Sequence, residues 1–383
     1  MIKMIYLDNA ATTFPKPIAV TKEVNTALTK YAANPGRSGH VMAMKAGQMI
    51  YDCRIAVSKL FNVKNEENVI FTMNCTHSIN TVLKGYLKEG DHVVISCLEH
   101  NSVVRPLKAM EDKGITFTEV KVYENDNNQT LDSFRKAINR NTRLIACIHA
   151  SNVWGIRLPI ERIAALAHEY GIKTMVDAAQ SAGITPIDFE NSKIDFLCMP
   201  GHKGLYGPMG TGILIIRHPD DLTTPLMQGG TGSSSISTEH PQFVPDKFES
   251  GTANLPGISG LLRGVEFVSR KTPERIFAHE LKLMQSLHRG LSKNDRVKLY
   301  TSYPDRKHCV PLISFNVDGK DSEAVARYLN DRYFIAVRAG LHCSPLAHLY
   351  MGTQDSGAVR VSPSVFTTEN EIQRLIYAVN KIS

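Results

Sequence analysis

The sequence has no apolar run near the roughly 18 residues that a helix needs to span a bilayer. Its amino terminus, residues 1–13, lacks a basic segment followed by an apolar core, so we expect no secretory signal peptide. Lys and Arg are not gathered in blocks, and the formal net charge of +7 comes from 44 basic and 37 acidic residues. We therefore expect neither a membrane nor a nucleic acid as a partner.

Cysteine is scattered, and the seven cysteines include no CxxC pair. That spacing argues against a disulfide framework and a structural zinc site, so we expect no metal ligands and a cytoplasmic location. What remains is an ordinary globular composition, 43% apolar and 21% charged. At 383 residues the chain is long enough for two domains.

Short apolar runs alternate with amphipathic segments through the first half of the chain. The runs predict seven strands, at 68–72, 92–97, 116–120, 144–150, 173–178, 196–199 and 212–216. Helical spacing predicts helices at 18–31, 42–60, 78–87, 103–113, 131–139 and 159–170. This alternation indicates an α/β fold with a mostly parallel seven-stranded sheet that is covered on both faces.

The pattern changes after residue 257. Helices are predicted at 258–270, 273–291, 322–331 and 373–382, and strands at 297–301, 312–317 and 336–338. We predict a large domain of residues 16–256 and a smaller α+β domain formed by 1–15 and 257–383.

Polar residues follow several predicted strands at their carboxyl ends, the edge where ligands bind in such sheets. Thr76 opens a helix and could help bind an anion, His100 could stack on a planar ligand, and Asn152 ends another strand. Asp177 is a carboxylate in apolar surroundings, which calls for a cationic or hydrogen-bonding partner. Taken singly, Thr76, His100 and Asp177 each have an ordinary alternative: a helix cap, a surface histidine and an aspartate bonded to the backbone.

Lys203 lies in a glycine-rich turn between two apolar runs. An isolated lysine in a turn is usually a solvated surface residue, but at a rigid strand end its amine can be desolvated for use as a nucleophile. An anion-binding turn, a histidine, an aspartate and this lysine follow successive strands. Together they describe a pocket for pyridoxal 5'-phosphate.

Several motifs in the same order resemble those of the cysteine desulfurase and selenocysteine lyase family, among the class V, fold-type I pyridoxal-phosphate enzymes. The resemblance covers nearly the whole chain and is carried by residues 7–13 (LDNAATT), 177–181 (DAAQS), 201–203 (GHK), 248–254 (FESGTAN) and 335–343 (IAVRAGLHC). It implies that Lys203 forms the Schiff base, that His100 stacks on the cofactor ring, and that Asp177 pairs with the ring nitrogen. Gln180 would contact the phenolic oxygen, and Asn152 would lie near both cofactor and substrate.

The resemblance also implies how the phosphate and the substrate are held. Thr76, its neighbour Cys75 and His202 would contact the cofactor at its phosphate end, helped by Thr252 from a second subunit of a homodimer. Arg360 falls where the family binds the substrate carboxylate, a task that suits a bidentate guanidinium.

Cys343 indicates the reaction. By the resemblance, its thiolate would attack the sulfur of L-cysteine, leaving alanine and a persulfide that passes to an acceptor protein. Arg338 and His342 flank it, and we expect both to be basic neighbours that favour the thiolate. The short segment before Cys343 is like that of the compact-loop subgroup, whose members often need a dedicated acceptor or act on L-selenocysteine.

Two positions depart from the family pattern. Pro200 stands where a serine usually contacts phosphate, and Cys75 where a small or hydroxyl residue is usual. We therefore expect phosphate to be held differently, with Thr231 or Ser233 as candidates. Three alternatives to a cysteine desulfurase stay open: a selenocysteine lyase, an aminotransferase or epimerase on the same scaffold, and a scaffold that has lost catalysis.

Overall fold

The computed structural model describes residues 4–35, 39–233 and 236–382. The serine-rich stretch at 231–237 is therefore described except for Ser234 and Ser235, which lie outside these ranges.

The described residues form twelve strands and eleven α-helices. The strands are β1 (Ile5–Tyr6), β2 (Val69–Thr72), β3 (His92–Ser96), β4 (Thr116–Val120), β5 (Thr142–Ile148), β6 (Lys173–Asp177), β7 (Phe196–Pro200), β8 (Gly212–Ile216), β9 (Val297–Leu299), β10 (Ile313–Val317), β11 (Ile335–Ala336) and β12 (Val359–Val361). The helices are α1 (Ile18–Lys30), α2 (Val41–Phe61), α3 (Cys75–Tyr86), α4 (Asn101–Met110), α5 (Asn127–Ala137), α6 (Ile160–Glu169), α7 (Leu255–Lys271), α8 (Pro273–Leu291), α9 (Ser322–Tyr333), α10 (Pro345–Met351) and α11 (Glu369–Val379).

A seven-stranded sheet forms the centre, in the order β2-β8-β7-β6-β5-β3-β4. Strands β4, β3, β5, β6 and β7 run parallel, and β8 is antiparallel to both of its neighbours. The predicted α/β fold with a mostly parallel sheet is confirmed. Each of the seven predicted strands is present, with both ends within two residues of the prediction.

Alternate residues of the central strands face opposite layers of the core. Val94 of β3 packs in one apolar cluster, whereas Val93 and Ile95 pack in the other. Both clusters are buried, which explains why these strands read as continuous apolar runs. Because the parallel strands share one direction, their carboxyl ends meet at one edge of the sheet.

The remaining strands form two small sheets. Antiparallel strands lie in the order β12-β10-β9, and β1 pairs in parallel with β11. Helix α7 packs against α1 and α2. The seven-residue α10 and the three-residue β12 were not predicted from the sequence, and the division into two domains stays a prediction.

In the parts of the chain that the structure describes, we find no helix with the length and apolar character needed to cross a membrane.

Candidate active site

One cavity at the carboxyl edge of the sheet gathers most of the predicted site residues. Eight of them line it: Cys75, Thr76, His100, Asn152, Asp177, Gln180, His202 and Lys203. They come from five separate segments, which lie at or just after the carboxyl ends of β2, β3, β5, β6 and β7; the first two of these segments lead into α3 and α4. The topology of the sheet therefore brings these residues together, as the sequence predicted.

Lys203 projects from the turn that follows β7. The next residue, Gly204, packs so closely on a neighbouring turn that a Cβ there would lie 2.3 Å from the carbonyl oxygen of Ala182. Burial lowers the pKa of the Lys203 amine, and the negative charge of Asp177 opposes that shift. The lysine is thus presented on a rigid support with a larger neutral fraction than a solvated lysine has.

Asp177 is the last residue of β6 and only 2% exposed. Its Oδ1 accepts hydrogen bonds from the backbone N–H of Ala179 at 2.8 Å and from the thiol of Cys75 at 3.4 Å. Burial, together with the charge of Asp177, raises the pKa of that thiol well above its usual value, so Cys75 is a neutral donor. A buried carboxylate with these two partners can still accept from a cationic ligand in the cavity.

His100 caps the amino terminus of α4. Its Nδ1 accepts from the backbone N–H of Ser102 at 3.0 Å and lies 2.8 Å from the Ser102 hydroxyl. Burial lowers the pKa of the imidazole, so at neutral pH the ring is neutral and its proton is on Nε2. These bonds fix the orientation of a flat, uncharged ring at the cavity wall.

The amino terminus of α3 forms another wall. Asn74 caps this helix by accepting from the backbone N–H of His77 at 2.9 Å. The N–H groups of Cys75 and Thr76 precede the first intrahelical bond, and the Thr76 hydroxyl lies 2.8 Å from that of Ser102. The helix amino terminus is therefore available to an anion, and the two hydroxyls can donate to it only by exchanging these bonds.

Gln180 and His202 lie on the side of the cavity that contacts residues 10–16 near the amino terminus. The side-chain amide of Gln180 donates to the carbonyl of Ala10 at 3.0 Å. His202 Nδ1 is buried and has no partner among the described residues, and burial lowers the pKa of this imidazole to about 4. Its backbone carbonyl accepts from the Nζ of Lys16 at 2.7 Å.

Arg360 on β12 is 1% exposed and does not line the cavity itself. Its Nη2 pairs with Asp8 at 2.7 Å, and its Nη1 donates to the backbone carbonyl of the cavity residue Asn152 at 2.9 Å. Its Nε has no partner within the described ranges. The predicted carboxylate-binding residue therefore adjoins the cavity, but its guanidinium is already paired.

Cys343 is exposed, whereas the other six cysteines are buried or partly buried. Its backbone carbonyl accepts from the N–H of Asn101 at 2.9 Å, which places its loop beside His100. Arg338 Nη2 lies 3.9 Å from the sulfur, as a basic neighbour should.

The expectation that His342 is also basic is wrong. It is 3% exposed, and burial with the nearby charge of Arg360 lowers its pKa to about 2, so this imidazole is uncharged at neutral pH. Arg338 is therefore the cationic member of the pair that flanks Cys343.

Thr252 and the two candidate hydroxyls of the serine-rich stretch lie elsewhere. Thr252 and Thr231 line a separate groove of about 560 Å³ together with Asn74. Ser233 bonds to the carboxylate of Asp246. None of these three residues lines the cavity of Lys203.

The sequence reasoning missed Ser102 and Asp8. Ser102 lines the cavity and bonds to both Thr76 and His100. A hydroxyl at the start of α4, two residues after a candidate histidine, was the available signal. Asp8 lies within the motif at 7–13, but its partner Arg360 is 352 positions away, so nothing in the sequence paired the two.

Comparisons with known proteins agree with the geometry. A family model described as aminotransferase class-V matches residues 5–375. A probable cysteine desulfurase of Methanothermobacter thermautotrophicus is 32% identical over 99% of this chain and 94% of its own length.

Two solved structures share the fold. The apo structure of a cysteine desulfurase from Thermococcus onnurineus NA1 is 31% identical, with a TM-score of 0.91 over 99% of this chain and 94% of its own. The cysteine desulfurase CsdA of Escherichia coli, in an S-sulfonic acid form, is 27% identical, with a TM-score of 0.88 over 99% of this chain and 94% of its own.

Proposed function

The chain belongs to the class-V aminotransferase family, and we propose that it is a cysteine desulfurase, which removes sulfur from L-cysteine and leaves L-alanine. The observation that carries the proposal is the exposed Cys343, whose loop is hydrogen-bonded beside a cavity that contains Lys203 and the buried Asp177. The similar proteins named above have the same activity in their names.

The cofactor of the proposed reaction is pyridoxal 5'-phosphate, and the residues of the cavity fit it. When bound, it supplies an aldehyde that condenses with amines and a ring that accepts the electron pair released at the substrate's Cα. Lys203 would bind the aldehyde carbon, Asp177 would hold the ring nitrogen and His100 would cover the ring. The phosphate would bind at the unpartnered His202 Nδ1 and the start of α3. Pro200 has no hydroxyl, and the hydroxyls of Ser102 and Thr76 would donate to the phosphate in its place.

Three residues of the site, Lys203, Arg360 and Asn152, would act on the substrate. The lowered pKa of Lys203 lets its amine take a proton from the substrate's Cα and return one to the product. Arg360 would bind the substrate carboxylate through its Nε and through an Nη group now shared with Asp8. Asn152, which contacts Arg360 through its backbone, would help to orient the same end of the substrate.

Cys343 would accept the sulfur. Its thiolate attacks the substrate sulfur, so that an S–S bond forms, the C–S bond breaks and the electron pair of the C–S bond goes to carbon. One proton then completes alanine, and Cys343 holds a persulfide. Arg338, 3.9 Å from the sulfur, stabilises the negative charge of the attacking thiolate.

Further partners follow from the same proposal. The exposure of Cys343 suits delivery of the persulfide sulfur to an acceptor protein. Thr252 faces a groove outside its own chain's cavity, which supports a homodimer in which it completes the partner's phosphate site. The seven unpaired cysteines suit a reducing cytoplasm.

The test is alanine formation from L-cysteine by purified holoenzyme with a thiol reductant. Cys343→Ala should lose alanine formation and keep the bound cofactor's visible absorbance. Cys309→Ala is the matched control, because that thiol donates to the Asp305 carbonyl and burial raises its pKa to about 12. Full activity of Cys343→Ala on L-cysteine would overturn the proposal, and a parallel assay with L-selenocysteine would show which chalcogen is preferred.

A further inference from the structure

The loop that carries Cys343 is bonded to the cavity wall on both sides of the cysteine. Asn152 donates from Nδ2 to the carbonyl of His342 at 2.7 Å. Ser344 donates from its hydroxyl to Oδ1 of the same Asn152 at 2.7 Å. One side-chain amide of the cavity therefore bridges the residue before Cys343 and the residue after it.

The directions of these two hydrogen bonds follow from the chemistry of the groups. A peptide carbonyl only accepts, so the amide nitrogen of Asn152 must face His342 and its oxygen must face Ser344. Ser344 is 0% exposed and Asn152 is 6% exposed, so water cannot readily replace either bond. The His342 carbonyl thus fixes the orientation of the amide, and the Ser344 hydroxyl holds the oxygen end of it.

The backbone between the two bonds is in an unfavourable conformation. His342 has φ of 52° and Cys343 has φ of 58°, in the left-handed region that residues with a Cβ rarely adopt. A backbone bond from the N–H of Ser344 to the carbonyl of Leu341, at 3.0 Å, closes the turn. Two such residues in succession need bonds from outside the turn to keep this conformation. The hydrogen bonds of Asn152 and Ser344 supply them.

We propose that Ser344 is a positioning residue for Cys343. Its hydroxyl and the Asn152 amide form a clamp, the Ser344–Asn152 clamp, that holds the loop in its left-handed conformation and fixes the sulfur relative to the cavity. The proposal rests on the proposed function, because it concerns how the thiolate meets the substrate sulfur. Attack requires the two sulfur atoms to be aligned, so a loop that relaxes loses rate without losing substrate binding.

The test is Ser344→Ala in the holoenzyme, with Ser192→Ala as the matched control. Ser192 is also buried, 6% exposed, and its hydroxyl bonds to the carbonyl of Phe189 near the opposite end of the sheet. Two readouts are needed: kcat and KM for alanine formation from L-cysteine, and the rate at which iodoacetamide alkylates Cys343, followed by peptide mass spectrometry.

We expect Ser344→Ala to lower kcat about tenfold or more, with KM within about twofold of the wild type. We also expect Cys343 to be alkylated at least about threefold faster, because its loop is released. Ser192→Ala should match the wild type in both readouts.

Unchanged kcat and alkylation in Ser344→Ala would overturn the clamp. A raised KM with unchanged kcat and alkylation would also overturn it, since Ser344 would then act through substrate binding by Asn152. If the wild-type protein makes no alanine from L-cysteine, the proposed function fails, whereas the alkylation rates still decide whether Ser344 holds the Cys343 loop.

Discussion

Replacement of Asp177 by Asn tests whether the negative charge of this carboxylate contributes to cofactor binding. The backbone N–H of Ala179 and the thiol of Cys75 both donate to Oδ1, and an asparagine oxygen can accept both bonds. The substitution therefore removes a charge and leaves these local bonds. A hydrogen bond to a charged group contributes about 2 kcal/mol, so we expect the dissociation constant of pyridoxal phosphate to rise about 30-fold.

The assay is titration of the dialysed apoprotein with pyridoxal phosphate, followed by visible absorbance. Asp195→Asn is the matched control: Asp195 is also buried, but it accepts from Thr174 and pairs with Lys173 at the opposite edge of the sheet. We expect the control to lose stability and to bind the cofactor normally. Cofactor affinity of Asp177→Asn within about threefold of the wild type would refute the assigned role.

Three further predictions concern stability and phosphate binding. Arg54→Met should lower the free energy of unfolding by about 3–5 kcal/mol in urea, because it removes a buried guanidinium that makes two bonds to the carboxylate of Glu249. A loss below about 1 kcal/mol would contradict this. Burial raises the pKa of Glu99 from 4.5 to about 8. Between these two pH values the folded protein keeps a proton that the unfolded chain releases. The free energy of unfolding should therefore fall by up to about 1.4 kcal/mol per pH unit as pH rises from 5 to 8. Glu99→Gln should show a shallower fall, and an identical slope would disprove the assignment. Ser102→Ala should weaken pyridoxal phosphate binding about tenfold in the same titration, and unchanged affinity would exclude its hydroxyl from the phosphate site.

The central sheet could be predicted because its signal is local. Residues such as Val93, Val94 and Ile95 are buried on both faces, and a buried parallel strand needs an unbroken apolar run. Once the strands are parallel, residues that follow them must meet at one edge. That geometry, with no contact information, is enough to bring Asp177 and Lys203 into one cavity.

Features that depend on long-range packing could not be predicted. The pair of Arg360 with Asp8 joins opposite ends of the chain, and no local pattern marks it. The neutral state of His342 follows from its burial, which the sequence around an exposed cysteine does not reveal. Helix α10 has only seven residues, two turns at most, so a helical period could not be read from it.

The most direct test of the account is the mass of the Cys343 peptide after the holoenzyme has reacted with L-cysteine without a reductant or an acceptor. The account predicts one added sulfur atom on Cys343, in an amount equal to the alanine formed in the first turnover. Alanine formed with no sulfur on Cys343, or with the added sulfur on another of the seven cysteines, would contradict it.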